Sequence, residues 1–454
     1  MNVLLLLTDQ LTSRALSMYA KGDATLAPTP NLDRLATEGV VIDDMCSTCP
    51  VCTPARAMLL TGRHPQTTGH VMNSVRLRHD EVTLADVFRD AGYRTGWIGK
   101  WHLHTGAFPA ANVPDYVPVG RDRGGFEHWR GYNQHMIYWD GPLAGDDWDT
   151  IRWKGYETDG LGDFALDFLR ADDDRPFLLC VSPHQPHDST WSDLKQHAPD
   201  WAYEGLPNEA NLVLPPNVAA FEEHETTRWG YREYLAMIRC VDAMVGRLLD
   251  ELEALGKLDD TLFIFTSDHG NEGGARGGRF FEKRSPHEES ISIPLILRHP
   301  ALGSGRRSVL MGMPDMMPTL CCMCGLGVPA TVEGVDCSAG WRGASAGQDA
   351  LLLMRFSEAF DHLKTGAEWR GVRTPTHTYA RWLTGERVLF DNAADPWQMN
   401  NLADTPLADE LEATMQTLMA ERGDALGPCT NYADWFDEQR RVVRNAWGPL
   451  PVSG

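Results

Sequence analysis

The chain begins with an almost unbroken apolar run, Asn2 to Leu7, that stops at Thr8-Asp9-Gln10. A run of that length without polar alternation predicts a strand buried on both faces, with Asp9 delivered at its carboxyl end. The pattern recurs. Tyr93 to Ile98 runs into Gly99-Lys100-Trp101-His102, Phe177 to Val181 into Pro183-His184-Gln185-Pro186-His187-Asp188, and Leu262 to Thr266 into Ser267-Asp268-His269-Gly270, with a further strand over Ile293 to Leu297. Helical spacing lies between these runs. Thr29-Pro30-Asn31 opens a helix carrying Leu32, Leu35 and Ala36 on one face, Leu84 to Ala91 is stopped by Gly92, and Tyr234 to Leu255 repeats Leu235, Ile238, Val241, Val245, Leu248, Leu249 and Leu252 before Gly256. On the last helix Asp242 reads as a surface or capping charge. Strand and helix alternate to about Leu320, which predicts an α/β fold: a large, mostly parallel sheet sandwiched by helices.

Open α/β sheets collect ligands beyond the carboxyl ends of their strands, so the residues found there are the candidates for chemistry. Asp9, Asp268 and His269 form a hard-to-borderline metal-ligand set. Lys100 and His102, two apart just past a strand, project in the same general direction. From Phe126 to Trp229 the periodicity loosens and Trp129, Trp139, Trp148, Trp153, Trp191, Trp201 and Trp229 accumulate. Such aromatic stretches cap a pocket, cover a core, or form the contacts of a homo-oligomer. Beyond Ala350 the texture changes to short polar strands over Gly371 to Leu389, a loop over Asp391 to Leu402 and a helix over Leu407 to Arg422; the end, around Trp447-Gly448-Pro449, carries little regular signal. The expected division is therefore 1–350 as the catalytic domain and 351–454 as a smaller C-terminal α+β domain.

A chain of 454 residues, 43% hydrophobic and 23% charged, has the composition of a globular protein of two or three units. Its formal charge of -22 excludes a general binder of nucleic acid or of an anionic membrane surface, so an anionic substrate would need a local basic pocket. Met1 to Leu7 lacks the basic start and cleavage site of a secretion signal, and no stretch reaches the roughly 18 apolar residues of a membrane span; the expected compartment is the cytoplasm. Ten cysteines then read as reduced thiols. Cys46, Cys49 and Cys52 are spaced like part of an iron–sulfur run but lack a fourth cysteine followed by proline, and Cys321, Cys322 and Cys324 fall on a predicted helix, so a cluster is not expected.

The stretch Cys52-Thr53-Pro54-Ala55-Arg56-Ala57-Met58-Leu59-Leu60-Thr61-Gly62-Arg63 changes this picture most. Proline suits the first helical position, so Cys52 is placed at a helix N-terminus, where orphan N–H groups favour an anion, and Arg56 returns over the same end one turn later. With Leu-Thr-Gly-Arg following, the segment resembles the signature of the formylglycine-dependent sulfatases of the alkaline-phosphatase superfamily. Thr29-Pro30-Asn31-Leu32-Asp33-Arg34-Leu35-Ala36, Gly92-Tyr93-Arg94-Thr95, Gly99-Lys100-Trp101-His102-Leu103, Pro186-His187, Thr266-Ser267-Asp268-His269-Gly270, Lys283 with Glu288, and Phe390-Asp391 through Asn401-Leu402 follow in that family's order. The resemblance covers almost the whole chain.

It implies an alkaline-phosphatase-like fold and a sulfuric ester hydrolase that releases inorganic sulfate from a small organosulfate. A maturation enzyme would oxidise Cys52 to 3-oxoalanine (formylglycine), whose gem-diol attacks sulfur with one hydroxyl and expels sulfate with the other. Asp9, Asp268, His269 and the modified Cys52 would hold one divalent cation, calcium first, with manganese or magnesium as alternatives. Arg56 would stabilise the nucleophile, Lys100 and Lys283 bind the sulfate, His102 assist breakdown of the sulfated species, and His187 protonate the leaving oxygen. Gln10, where many relatives carry a second aspartate, and His269 after Asp268 resemble the subgroup of choline sulfatases and phosphonate monoester hydrolases; Gln10 is a further candidate metal ligand. A phosphonate monoester or phosphodiester hydrolase using the same site is the alternative. His104, His184 and His287 are extra histidines near expected site segments and candidate substrate contacts.

Overall fold

The fold is seen in a computed structural model that describes every residue except 74, 105–116, 148, 189–196, 345–346, 357–367, 425 and 427–454. Trp148, Trp191 and the Trp447-Gly448-Pro449 end lie outside the described residues. Among the described residues fourteen strands run in chain order: β1 (Asn2–Thr8), β2 (Val40–Cys46), β3 (Arg94–Lys100), β4 (His128–Tyr132), β5 (Pro142–Ala144), β6 (Thr150–Arg152), β7 (Phe177–Ser182), β8 (Thr261–Ser267), β9 (Leu295–Arg298), β10 (Gly305–Gly312), β11 (Leu351–Arg355), β12 (Trp369–Arg373), β13 (His377–Trp382) and β14 (Arg387–Asp391). Ten of them form one sheet in the order β10-β2-β9-β8-β1-β7-β3-β4-β5-β6. Its centre, β8-β1-β7-β3-β4, is parallel, and the pairings of β9 with its neighbours and of β5 with its neighbours are antiparallel.

The apolar run at the start of the chain is β1, and its alternate residues divide between two cores. Val3, Leu5 and Leu7 share one with Met58, Leu59 and Met317; Leu4 and Leu6 share the other with Leu235, Ile238 and Val245. Because side chains of a strand point alternately to its two faces, a continuous apolar run is what a sheet covered by helices on both sides requires. The covering helix read from Tyr234 begins earlier, spanning Thr227–Ala254. Asp242 on it is buried: its carboxylate accepts from the backbone N–H of Asn31 at 3.0 Å and of Leu32 at 2.8 Å. Thr29 makes no side-chain cap of its own helix, Pro30–Glu38, so the cap comes from a residue about two hundred positions away.

The loosened Trp-rich stretch contains β4, β5 and β6, which extend the sheet, and the helix Glu157–Arg170. Trp129 and Trp153 are core residues, Trp129 packing edge-on against Trp101, whereas Trp139 and Trp201 are exposed. At the other end of the chain, β11 to β14 make a separate antiparallel sheet. The helix Pro406–Glu421 lays Ala408, Leu411 and Met415 against Leu352, Val372 and Leu389 of that sheet, within the same core that holds Val3 and Leu59. Among the described residues no helix is long and apolar enough to cross a membrane.

Candidate active site

Four neighbouring parallel strands end together. The register sets Thr8 of β1 beside Ser267 of β8, Leu6 beside Val181 of β7, and Ser182 beside Gly99 of β3. Asp9, Asp268, Ser182 and Lys100 are therefore brought to one edge by strand pairing alone, before any loop is considered. The helix that begins at Cys52 (Cys52–Thr61) points its first turn at the same edge, and Pro54 takes the third helical position, where its missing N–H costs nothing.

Cys52 is almost fully buried, and its Sγ lies 3.1 Å from His269 Nε2, 3.4 Å from Lys283 Nζ and 3.7 Å from Asp9 Oδ1. Arg56, one turn on and wholly buried, uses its planar fork on several strand ends at once. Nε donates to Asp268 at 2.9 Å, Nη1 to Lys100 O at 2.8 Å and to Ser182 Oγ at 2.9 Å, and Nη2 to Asp9 at 3.4 Å. Lys100 Nζ meets the Asp9 carboxylate at 2.5 Å. On the other side of the sulfur, Lys283 Nζ also reaches Gln10 Oε1 at 3.3 Å and His187 Nε2 at 3.1 Å.

The electrostatics follow from three cations facing two buried carboxylates. Burial would raise the Asp9 carboxyl, but Lys100, His187, Arg56 and Lys283 hold it well below the carboxylate range. Burial and Asp9 push the Cys52 thiol up, and Lys283, Lys100 and His269 outweigh them and hold it well below the thiol range. Burial and the neighbouring Asp9 charge raise Asp268, while Asp268 overrides burial to raise His269.

One ligand atom each from Asp9, Cys52, Asp268 and His269 lies within 4.8 Å of the others, the arrangement a cation needs. His269 Nδ1 is engaged by Gly270 O at 2.9 Å, which leaves Nε2 facing the cluster, as a metal-binding imidazole requires. Two carboxylates, an imidazole nitrogen and the Cys52 position gathered in one buried cluster are a donor set that fits a divalent ion. Gln10 sits at φ 66°, its N–H donating to Asp268 and its amide oxygen accepting from Lys283, which gives it a lysine as partner.

His102 faces Cys52; burial and then Lys100 lower its imidazole to about 4, against a hydrogen bond to Cys52. Its backbone is at φ 55° and is pinned by Asn133 O and by the Thr53 hydroxyl, which donates to His102 O at 2.6 Å. His187 Nδ1 lies 2.7 Å from the Asp188 carbonyl, so Nε2 is presented to Lys283. His184 lies behind this front: its Nδ1 contacts Tyr132 Oη at 2.7 Å and Glu157, and Glu157 also accepts from the His184 N–H and the Gln185 amide. His104 is held by Asn133 beside Asp122. His287 packs its ring against Phe390, with Arg276 and Glu288 nearby, rather than against the Cys52 cluster. Thr53, Ser182, Tyr132 and Glu157 gave no sequence signal, because their roles exist only through contacts between strands distant in the chain. The one candidate cation cluster among the described residues contains a single cysteine, Cys52.

Comparisons with known proteins bear on this site. A family model described as Sulfatase matches residues 1–325, and one described as N-sulphoglucosamine sulphohydrolase, C-terminal, matches residues 277–424. The chain is 35% identical over 436 residues to the ulvan-active sulfatase of Formosa agariphila, covering 93% of this chain and 82% of that protein. It is 27% identical to the choline-sulfatase of Rhizobium meliloti, covering 91% and 84% respectively. Among solved structures, the sulfatase yidJ of Bacteroides fragilis superposes with a TM-score of 0.81 at 28% identity, covering 94% of this chain and 96% of that one. The phosphonate monoester hydrolase of Agrobacterium radiobacter shares the fold, with a TM-score of 0.69 at 21% identity over 93% of this chain and 95% of that one.

Proposed function

Because the chain belongs to the sulfatase family, we propose that it hydrolyses a small organosulfate, a sulfated sugar unit included, at the site built on Cys52. The observation that carries this reading is the convergence of Arg56, Lys100 and Lys283 on a buried nucleophile position beside a four-residue cation cluster. In the net reaction water is consumed, the bond from sulfur to the ester oxygen breaks, and the alcohol and inorganic sulfate leave. A maturation enzyme would convert Cys52 to 3-oxoalanine, which supplies a hydrated aldehyde as oxygen nucleophile. A divalent cation, calcium on the strength of the carboxylate-rich donor set with manganese or magnesium as alternatives, would be held by Asp9, Asp268, His269 and the oxidised Cys52 and supply Lewis-acid charge.

The protein's own groups do the rest. Lys100 and Lys283 bind the sulfate oxygens, where charge fixed in place before reaction stabilises the transition state. Arg56 ties Asp9 to Asp268 and so fixes the spacing of the ligands. His102, neutral and against Cys52, takes the proton of the nucleophile. His187 and Lys283 share a proton at 3.1 Å, and it passes from that pair to the leaving oxygen. The same reading takes 1–350 as the catalytic unit and 351–454 as the smaller one. Asp9-Gln10 and Asp268-His269 favour a second reading, a phosphonate monoester or phosphodiester hydrolase on the same residues.

Mass spectrometry of the Cys52 peptide from a maturation-competent host, with kinetics on paired aryl sulfate, phosphonate and phosphodiester substrates, tests both. Conversion of Cys52 and a higher kcat/KM for the sulfate are expected. An intact cysteine in active protein would end the nucleophile assignment, and a strong preference for a phosphorus ester would move the function to the second reading.

A further inference from the structure

Behind the pair of His187 and Lys283 lies a carboxyl to which the mechanism gives no role. Glu157 opens the helix Glu157–Arg170 and is wholly buried, and among the described residues no lysine or arginine pairs with it. Burying an acid without a cation is costly, and an apolar side chain would fill the same place at less cost. Its partners come instead from the ends of two strands. The Tyr132 hydroxyl, at the end of β4, donates to Oε1. Beyond β7 the His184 N–H donates to Oε1 at 3.2 Å, His184 Nδ1 lies 3.2 and 3.3 Å from the two oxygens, and the Gln185 amide donates to Oε2 at 3.2 Å.

Three of these four contacts grip one turn. His184 and Gln185 begin it, and it closes where the His187 N–H donates to His184 O at 2.9 Å. The His187 carbonyl accepts from the Tyr138 hydroxyl and its Nδ1 faces Asp188 O, so where the imidazole stands depends on where His184 is held. The His184 ring is oriented as well: it stacks with the Tyr132 ring at a centroid distance of 5.0 Å and 18° from parallel, and Tyr132 stacks with His135 at 4.1 Å. At the far end of the turn His187 Nε2 meets Lys283 at 3.1 Å, and at a reacting group a misplacement of about 1 Å costs about 10²-fold.

We propose that Glu157 is a positioning residue of the reaction: with the Tyr132 hydroxyl it fixes the 184–187 turn and so holds His187 where it protonates the leaving oxygen. The inference rests on the role given to His187 above. Lys100 and Lys283 reach the site from other segments, so loss of Glu157 weakens proton delivery and leaves sulfate binding in place.

Proton delivery is read by comparing 4-nitrophenyl sulfate, whose phenolate leaves unaided, with phenyl sulfate, whose leaving oxygen needs the proton. The ratio of their kcat/KM values, nitrophenyl over phenyl, is measured in the parent, His187→Ala, Glu157→Ala, Glu157→Gln and the double variant of His187→Ala with Glu157→Ala, each with matched Cys52 conversion. In His187→Ala the ratio is expected to rise about 10²-fold or more, the share of a positioned acid. Glu157→Ala is expected to raise it about tenfold, with KM for 4-nitrophenyl sulfate within about threefold of the parent. Glu157→Gln keeps an acceptor for the His184 N–H and should recover most of that loss, and the double variant should match His187→Ala alone, because a missing imidazole cannot be misplaced. Tyr132→Phe keeps the ring stack, should shift the ratio about threefold in the same direction, and decides the matter if Glu157→Ala does not fold. An unchanged ratio in His187→Ala would overturn the reading of His187 and this inference with it. A raised ratio in His187→Ala beside an unchanged one in the folded Glu157 and Tyr132 variants, or a Glu157→Ala effect that persists undiminished without His187, would overturn this inference alone.

Discussion

Replacing Lys283 by alanine separates the work of the site from the stability of the fold. The side chain is half-buried and its ammonium contacts Gln10, Cys52 and His187 at 3.1–3.4 Å, all of them site residues, so its removal leaves the two cores untouched. Two unit charges about 4 Å apart interact by about 4 kcal/mol at an effective dielectric of about 20. Removal of one preorganised donor from an active site costs about 2.7–4 kcal/mol, a factor of about 10² to 10³. The two figures agree, and kcat/KM for an aryl sulfate is expected to fall by about that factor, with the Tm changed by no more than a degree or two. A second signature is specific to the arrangement. After burial, Lys283 is the largest influence holding the His187 imidazole below its ordinary range. Without it His187 titrates higher, its protonated form persists to higher pH, and the alkaline limb of the kcat profile moves upward. Steady-state kinetics across pH on protein with matched Cys52 conversion reads both effects. A variant that keeps more than about a tenth of kcat/KM, or an alkaline limb that stays in place, would refute the roles given to this pair.

Asp242→Ala leaves the N–H groups of Asn31 and Leu32 unpaired in the interior, at about 1–3 kcal/mol each, partly offset because burial already pushes this carboxyl up. For a chain of this length, roughly 1 kcal/mol corresponds to about one degree, so calorimetry should show a Tm lower by about 2–4 °C, with Asp242→Asn milder. Chelation should abolish sulfate release, and calcium, manganese or magnesium should restore it; Asp268→Asn should lose stoichiometric metal by elemental analysis, and metal retained by that variant would contradict the ligand set. His64 and His70 are lowered by burial, to about 3 and about 4, from an unfolded value near 6.5. Their contribution is complete above pH 6.5 and is lost as pH falls through the interval below it, by about 1.4 kcal/mol per pH unit for each histidine. Urea unfolding at pH 7.5 and pH 5 should show the loss, and His70→Leu should reduce the slope by one histidine's share.

The site was legible where a strand ended in chemistry. Asp9, Lys100 and Asp268 stand at the carboxyl ends of apolar runs, and strand pairing is enough to gather them. The partners that fix their geometry were not legible: Ser182 continues an ordinary strand, Thr53 is one threonine among many, and Glu157 lies in a stretch with weak periodicity. Each matters through contact with a residue far away in sequence, which no local pattern encodes. His287 lies close to the site in sequence but not in space. Four residues from Lys283 in the chain, it precedes the Glu288–Ile291 turn and its ring packs on Phe390. The antiparallel course of β9 was equally hidden, since an apolar run reads the same in both directions.

If Cys52 is oxidised as proposed, its burial sets an order of events during synthesis. In the folded chain its sulfur lies beneath Lys283 and beside His269, so an enzyme that must hold the thiol in its own active site has access only before those residues arrive. The ribosome adds about 5–20 residues per second, and the 216 positions from Cys52 to Asp268 take roughly 10–40 s. During that interval β1 lacks its neighbour β8 and the sulfur lacks its cover. On the reading proposed here, the amount of active enzyme is set by a race between oxidation of one side chain and completion of the sheet, and slowing translation downstream of Cys52 would raise the yield of competent protein without altering a residue.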